Sequence, residues 1–121
     1  MEEEKAADKR TLVERVCDLD SYTHKALTSS NYPREQRYFL CAEIQRLVAE
    51  IMNLAVRSMK GYLQKSTLQN LDIALETLKY KIRESRRKKY ISEHRRHTWV
   101  LCVEKIGVLV GGWIKVKNEK K

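Results

Sequence analysis

A chain of 121 residues with a single proline, Pro33, and four glycines, none of them before Gly61, has few places at which to turn sharply. Proline fixes φ and glycine tolerates the left-handed region, so these two residues are the strongest punctuation a polypeptide has. With so little of it, a handful of long helices is expected in preference to many short strands. None of the six tyrosines lies in an alternating pattern of useful strand length. Apolar residues make up 42% of the sequence, enough at this length for a single domain, 1–121, around one hydrophobic core. The expected fold class is all-α. Short connections make neighbouring helices antiparallel, which gives an up-down-up-down four-helix bundle.

The apolar residues fall into four helical stripes. The first helix is expected over about 4–28, with Leu12, Val16, Leu19, Thr23 and Ala26 facing inward and Val13 and Tyr22 widening the stripe. The second is expected over 33–60. Pro33 would open it, because a proline at the first position lacks only an N–H that has no helical partner there. Leu40, Ile44, Leu47, Ile51 and Leu54 would carry its core face, with Val48, Ala55 and Met59 alongside, and Gly61 would cap its end. A third helix, 67–88, would begin at a capping box of Ser66 and Gln69 and bury Leu68, Leu71, Leu75, Leu78 and Ile82. Ser92 would cap the fourth, 92–115, which turns Trp99, Cys102, Val103, Ile106, Leu109, Val110 and Trp113 inward. A basic tail, 116–121, would follow.

That last helix is too apolar for one face. Val100, Leu101, Val108 and Ile114 lie off its stripe, and Gly107, Gly111 and Gly112 recur near four-residue spacing. A glycine inside a helix costs roughly 1 kcal/mol against alanine, so a close approach by another backbone is expected there. Gly107, Gly111, Gly112 and Trp113 are therefore the expected contacts of self-association.

Charge is distributed unevenly. The net charge is +9; residues 1–60 carry 10 basic and 10 acidic side chains, whereas residues 61–121 carry 15 and 6. The excess concentrates in Lys79, Lys81, Arg83, Arg86, Arg87, Lys88 and Lys89, then Arg95 and Arg96, diluted along the chain only by Glu84 and Glu93. Tyr80, Tyr90, His94 and His97 are interleaved, groups that can stack on exposed bases. Cations so crowded hold counterions that a phosphate backbone can displace with a gain in entropy. Lys79, Arg83, Arg86, Arg87, Lys88, Lys89, Arg95 and Arg96 are the expected nucleic-acid contacts, reading charge or shape more than sequence.

Chemistry of other kinds finds little support. The glycines follow no phosphate-loop spacing, and Cys17, Cys41 and Cys102 are too far apart for a zinc site or a sequence-local pair. They are expected to be buried, reduced thiols, which together with the absence of an apolar leader points to the cytoplasm. His94 and His97 could face one metal, but Arg95 and Arg96 beside them would repel it. Glu104, which interrupts the apolar stretch of the last helix, is expected to pair with Arg34 or Arg37 rather than act as a catalytic acid. No catalytic residue, metal, cofactor, membrane contact or small-molecule substrate is expected.

Two segments carry a resemblance. Tyr32-Pro33-Arg34-Glu35-Gln36-Arg37-Tyr38, ahead of a long apolar helix, is similar to the start of the second helix in the ribosomal RNA intervening-sequence four-helix bundle family. Glu104-Lys105-Ile106-Gly107-Val108-Leu109-Val110-Gly111-Gly112-Trp113-Ile114 resembles the tail of one branch, the accessory variability determinant (Avd) proteins of diversity-generating retroelements. The similarity runs from about Leu12 to Lys117. It implies a homopentameric barrel of bundles and a non-enzymatic partner of a reverse transcriptase and of RNA or DNA, serving mutagenic reverse transcription. Five copies would carry about +45 before counterions, enough to steer a polyanion from a distance. A general RNA- or DNA-binding bundle without a polymerase partner is the alternative.

Overall fold

Each stripe finds its complement on a neighbouring helix. The computed structural model describes the backbone of residues 2–60 and 64–119, and the side chains of 11–60 and 64–118. Within them lie four α-helices: α1 (Glu2–Ser29), α2 (Leu40–Met59), α3 (Lys65–Arg87) and α4 (Glu93–Glu119). No strand occurs among the described residues. Each helix packs on its neighbour in the chain, and α4 closes the ring on α1, while the backbones of the diagonal pairs stay apart. Contacts run in opposite senses along adjacent helices. Arg15 meets Lys105 while Thr23 meets Trp99, and the start of α2 meets the end of α3 through Glu43 and Lys81. This is an antiparallel four-helix bundle.

Most of the core comes from the stripes that the periodicity selects, but Val100, expected off the α4 stripe, is buried in the bundle's own core, and Leu47, Cys102, Leu109 and Trp113 are only half-buried. Leu12, Val16, Leu19 and Ala26 of α1, Ile44 and Ile51 of α2, Leu68, Leu71, Leu78 and Ile82 of α3, and Trp99, Ile106 and Val110 of α4 are fully buried. At roughly 1.5–3 kcal/mol for each large side chain removed from water, these stripes dominate the stability of the fold. Trp99 is the largest of them. Its indole N–H donates to Thr23 Oγ1 at 3.0 Å, and its ring lies 6.5 Å from that of Tyr22. A threonine thus occupies a core position because the buried indole needs an acceptor.

The helix ends depart from expectation in several places. Residues 33–39 do not belong to α2. Pro33 is extended, Arg34–Arg37 forms a 3-10 turn, and Phe39 breaks the path with φ −114° and ψ −89° before Leu40 begins the α-helix. Nothing in the turn is buried, so no core contact holds those residues in α geometry. Ser66 does not cap α3: Leu68 N–H already donates to Gln64 O, so Ser66 is itself helical, and a capping residue must lie outside the helix. Helix α1 starts at Glu2, and α4 runs through the expected tail to Glu119. The cap assigned to Gly61 and the last residues of the tail lie outside the described residues. Met59 is exposed. Cys17 is exposed too, Cys102 half-buried and only Cys41 buried, because Cys17 sits one residue off the Val16 stripe and faces solvent.

Replacing Thr23 with valine keeps the shape of the site and removes the acceptor. Urea unfolding of Thr23→Val is expected to show a loss of about 1–3 kcal/mol, the penalty of an unpaired buried donor. That loss should shrink in a Trp99→Phe background, which has no indole N–H. A neutral Thr23→Val would mean that packing alone positions Trp99.

Candidate nucleic-acid interface

The antiparallel arrangement brings the end of α1, the 3-10 turn, the start of α2, the end of α3 and the start of α4 to one end of the bundle. The two turns there are tied together. Asn31 N–H donates to Tyr90 O at 3.0 Å, Tyr32 O–H donates to Ser85 Oγ at 2.8 Å, and Ser85 Oγ donates to Lys81 O at 3.0 Å. The rings of Tyr32 and Tyr90 pack 5.3 Å apart. Tyr32 is buried, and loss of hydration pushes its phenol up to about 12, against the smaller opposing effect of the Ser85 hydrogen bond.

Helix α3 ends in a tight motif. Lys89 N–H donates to Arg86 O and Tyr90 N–H to Ser85 O, the paired bonds of a Schellman cap. That cap needs a left-handed residue, and Lys89 supplies it at φ 63°, where glycine is the usual occupant. Three residues on, Ser92 Oγ accepts from Arg95 N–H at 3.1 Å and starts α4 as expected.

The eight cations proposed from sequence all lie at this end, and the carboxylates sort them into two groups. Lys79 pairs with Glu76 at 3.0 Å and Lys88 with Glu84 at 3.7 Å. Glu93 receives Arg96 and, at 3.4 Å, Arg86. Hydrogen bonds from Arg96 and then Arg86 hold the Glu93 carboxyl below its ordinary range. Lys81 pairs with Glu43 at 2.5 Å, so α2 also contributes a carboxylate to the patch. The Lys81 hydrogen bond holds the Glu43 carboxyl low, and the same bond holds the Lys81 ammonium high. Among the described residues, no carboxylate lies within ion-pair distance of Arg83, Arg87, Lys89 or Arg95. Arg83 lies over the ring of Tyr80 at 5.7 Å, and Arg95 over that of Tyr22 at 5.9 Å. Nη1 of Arg95 is buried without an acceptor.

The same end carries residues that charge counting passes over. Arg34 and Arg37 are exposed in the 3-10 turn, and Tyr38 and Phe39 beside them are 76% and 63% exposed. Tyr80 is also exposed. Side chains of this size left in water, next to unpaired cations, form a joint aromatic and cationic surface. The segment from Pro33 to Arg37 reads in the sequence as the opening of the second helix, and nothing in it shows that Tyr38 and Phe39 point outward. Glu104 takes no part with Arg34 or Arg37. It is exposed on α4, where solvation removes the need for a partner, and its charge is felt at Arg96.

His94 and His97 are exposed on α4, and among the described residues no group of three or more His, Cys, Asp or Glu side chains could hold a metal ion. No described helix is long and apolar enough to cross a membrane. Along the outer face of α4, Val108 is 73% exposed, with Leu101, Gly111 and Gly112 on the same side. A Cβ built on Gly107, Gly111 or Gly112 would meet nothing within 4 Å, so the bundle itself does not require glycine there. Trp113 turns the other way and is half-buried against its own core.

These features define an all-α bundle with one cationic end and, on its last helix, an outer face where Val108 and glycines stand among exposed Glu104, Lys105 and Lys115. The chain belongs to the bAvd-like family, whose family model matches residues 10–117. Neither the curated proteins nor the solved structures yield a match to the chain.

The buried phenol offers a direct check on this end. Burial favours the protonated phenol, so its contribution to stability is complete below its ordinary value of 10.0 and is lost as pH rises toward about 12. Alkaline difference spectra of wild type minus Tyr32→Phe are expected to show one phenolate step near pH 12. A step near pH 10 would mean that Tyr32 is solvated and the two turns are not joined.

Proposed function

We propose that this chain is a non-enzymatic accessory protein of a diversity-generating retroelement. In this reading it binds template RNA or its cDNA through the cationic end, engages a reverse transcriptase, and assembles with copies of itself, as a homopentamer, along α4. The observation that carries the nucleic-acid half is the set of Arg83, Arg87, Lys89 and Arg95, cations with no counter-carboxylate among the described residues, beside exposed Tyr38, Phe39 and Tyr80. Family membership supports the accessory role. The open space at the α4 glycines supports self-association, because a helix that could carry alanine at those positions forgoes about 1 kcal/mol of helix propensity at each. The site of action in this reading is the cytoplasm. A general nucleic-acid-binding bundle shares the cationic end but needs no polymerase, and co-purification with a reverse transcriptase encoded beside it separates the two.

Fluorescence anisotropy of labelled RNA and DNA across a salt series tests the cationic end. Changing Arg83, Arg87 and Lys89 together to glutamine is expected to weaken binding and to reduce the log–log salt slope by about 2–3, near 0.7–0.9 for each lost phosphate contact. Changing the paired Lys79 and Lys88 should move the slope less, since each gives up a carboxylate to bind a phosphate. No binding at moderate salt by folded protein would overturn the nucleic-acid half.

Self-association has its own test. Gly111→Ala and Gly112→Ala should each raise the stability of dilute protein by about 1 kcal/mol through helix propensity. Sedimentation velocity of the same variants should show a shift toward monomer. Stabilised variants that assemble like wild type would remove α4 as the interface.

A further inference from the structure

Between the α1–α2 and α3–α4 turns lies an open depression of about 370 Å³, its walls formed by Ser29–Asn31 on one side and Lys89, Tyr90, Ile91, Ser92 and Arg95 on the other. Its chemistry differs from that of the open basic face. Lys89 and Arg95 line it from two sides of the α3–α4 turn, and neither has a carboxylate within ion-pair distance among the described residues. The carboxylate closest in sequence, Glu93, does not line it and is held by Arg96 and Arg86. Hydroxyl and amide groups complete the wall. Ser29 Oγ is spent on Lys25 O, but Ser92 Oγ only accepts from the backbone and keeps its own proton to donate. Among the described residues, the side chains of Ser30 and Asn31 donate to no protein group. Arg95 is half-buried, rests on Tyr22, and has one nitrogen sequestered without an acceptor. A guanidinium partly removed from water with no anion beside it is an unfavourable arrangement that a bound anion would relieve.

We propose that this depression is a seat for a phosphate monoester, the terminal phosphate of a nucleic-acid strand. The proposal rests on the nucleic-acid reading above and adds to it a discrimination for strand ends. Two cations lining one depression match the charge of a monoester, roughly −1.5 to −2 near neutral pH, better than the single charge of an internal diester. A monoester also has three free oxygens for the ammonium, guanidinium, hydroxyl and amide groups of the residues lining the depression, whereas a diester has two and must lead its chain both in and out. The position of Lys89 fits the same purpose. A left-handed lysine closes the cap of α3 where glycine would do so without strain, and in doing so it sets an ammonium at the rim of the depression.

The test compares oligonucleotides of one sequence with 5′-phosphate, 3′-phosphate or hydroxyl ends, labelled internally, at fixed ionic strength. Wild-type protein is expected to bind one phosphorylated end about tenfold more tightly than the hydroxyl end, the scale of one charge-assisted hydrogen-bond set. Lys89→Gly should bring that ratio close to one while its thermal midpoint holds or rises, because glycine relaxes the left-handed backbone. Asn31→Ala should lower the ratio without the change in cap geometry. The Arg83→Gln/Arg87→Gln double variant should weaken binding to all ends and keep the ratio. Inorganic phosphate at matched ionic strength should erode the wild-type ratio and not the binding of hydroxyl-ended strands. Equal affinity for all ends overturns this inference and leaves the nucleic-acid reading standing. A preference that survives both Lys89→Gly and Asn31→Ala places the seat elsewhere and overturns it too. No binding of any strand overturns both.

Discussion

The cationic end depends on a small set of hydrogen bonds that fasten one turn to another. Apolar packing reaches this end through Leu27, Leu40 and Ile91, but such contacts are non-directional and would let the two turns slide past one another. Tyr32 prevents this by reaching from the α1–α2 connection into α3, where Ser85 accepts its proton, while Asn31 binds the backbone at Tyr90. Ser85 is central to the joint. Its hydroxyl serves Tyr32 and Lys81, and its carbonyl takes the Tyr90 N–H that completes the α3 cap. A buried polar network of this kind rigidifies only if every member is satisfied. With it in place, Arg34 and Arg37 on one connection and Lys88 and Lys89 on the other are held at the same end of the molecule.

Charge at that end is less concentrated than a count along the chain suggests. Carboxylates from α2, α3 and α4 pair with Lys79, Lys81, Arg86, Lys88 and Arg96, with Glu93 shared between the two arginines, mostly in exposed pairs that add little stability. Their effect is on geometry more than stability. Glu93 draws Arg86 of α3 and Arg96 of α4 toward one point, which leaves Arg83 and Arg87 on the outer face of α3 and Lys89 and Arg95 at the rim of the turn. The cations without partners are the ones free to exchange water for phosphate without first breaking an ion pair.

The helices and their buried faces were legible because burial demands a period and period is visible. Every core position assigned to α3 is buried, and Thr23 was placed correctly in the α1 stripe, though its reason, an acceptor for Trp99, was invisible until α4 lay beside it. What escaped depends on contacts between segments distant in the chain or on backbone states that composition does not encode. Lysine has no preference for φ 63°, so nothing at Lys89 announces the α3 cap. Glu43 lies 38 positions from Lys81, and no local pattern links them. Pro33 opens a 3-10 turn and an α-helix with the same φ, and only the lack of buried residues between Arg34 and Arg37 decides which forms. Glu104 was read as needing a partner because its apolar neighbours suggested burial; the helix in fact turns it outward. The cationic contacts and the α4 interface remain readings of chemistry rather than of pattern.

The two surfaces proposed to act lie on different parts of the bundle, and this separation has a physical consequence. The outer face of α4 that bears Val108, Gly111 and Gly112 lies well beyond the first turn of that helix, where Ser92 and Arg95 contribute to the cationic end. Val108 stands 13 residues after Arg95, about 20 Å along a helix axis, beyond the Debye length of roughly 8 Å at physiological salt. Copies that meet through the far part of α4 would therefore bring apolar and glycine surface together while their unpaired arginines stay screened from one another. An interface at the cationic end would instead have to overcome repulsion between like charges at short range. Under the proposed reading the glycines, which meet nothing on their own bundle, and the unpaired cations lie on separate surfaces, so assembly and polyanion binding would not compete.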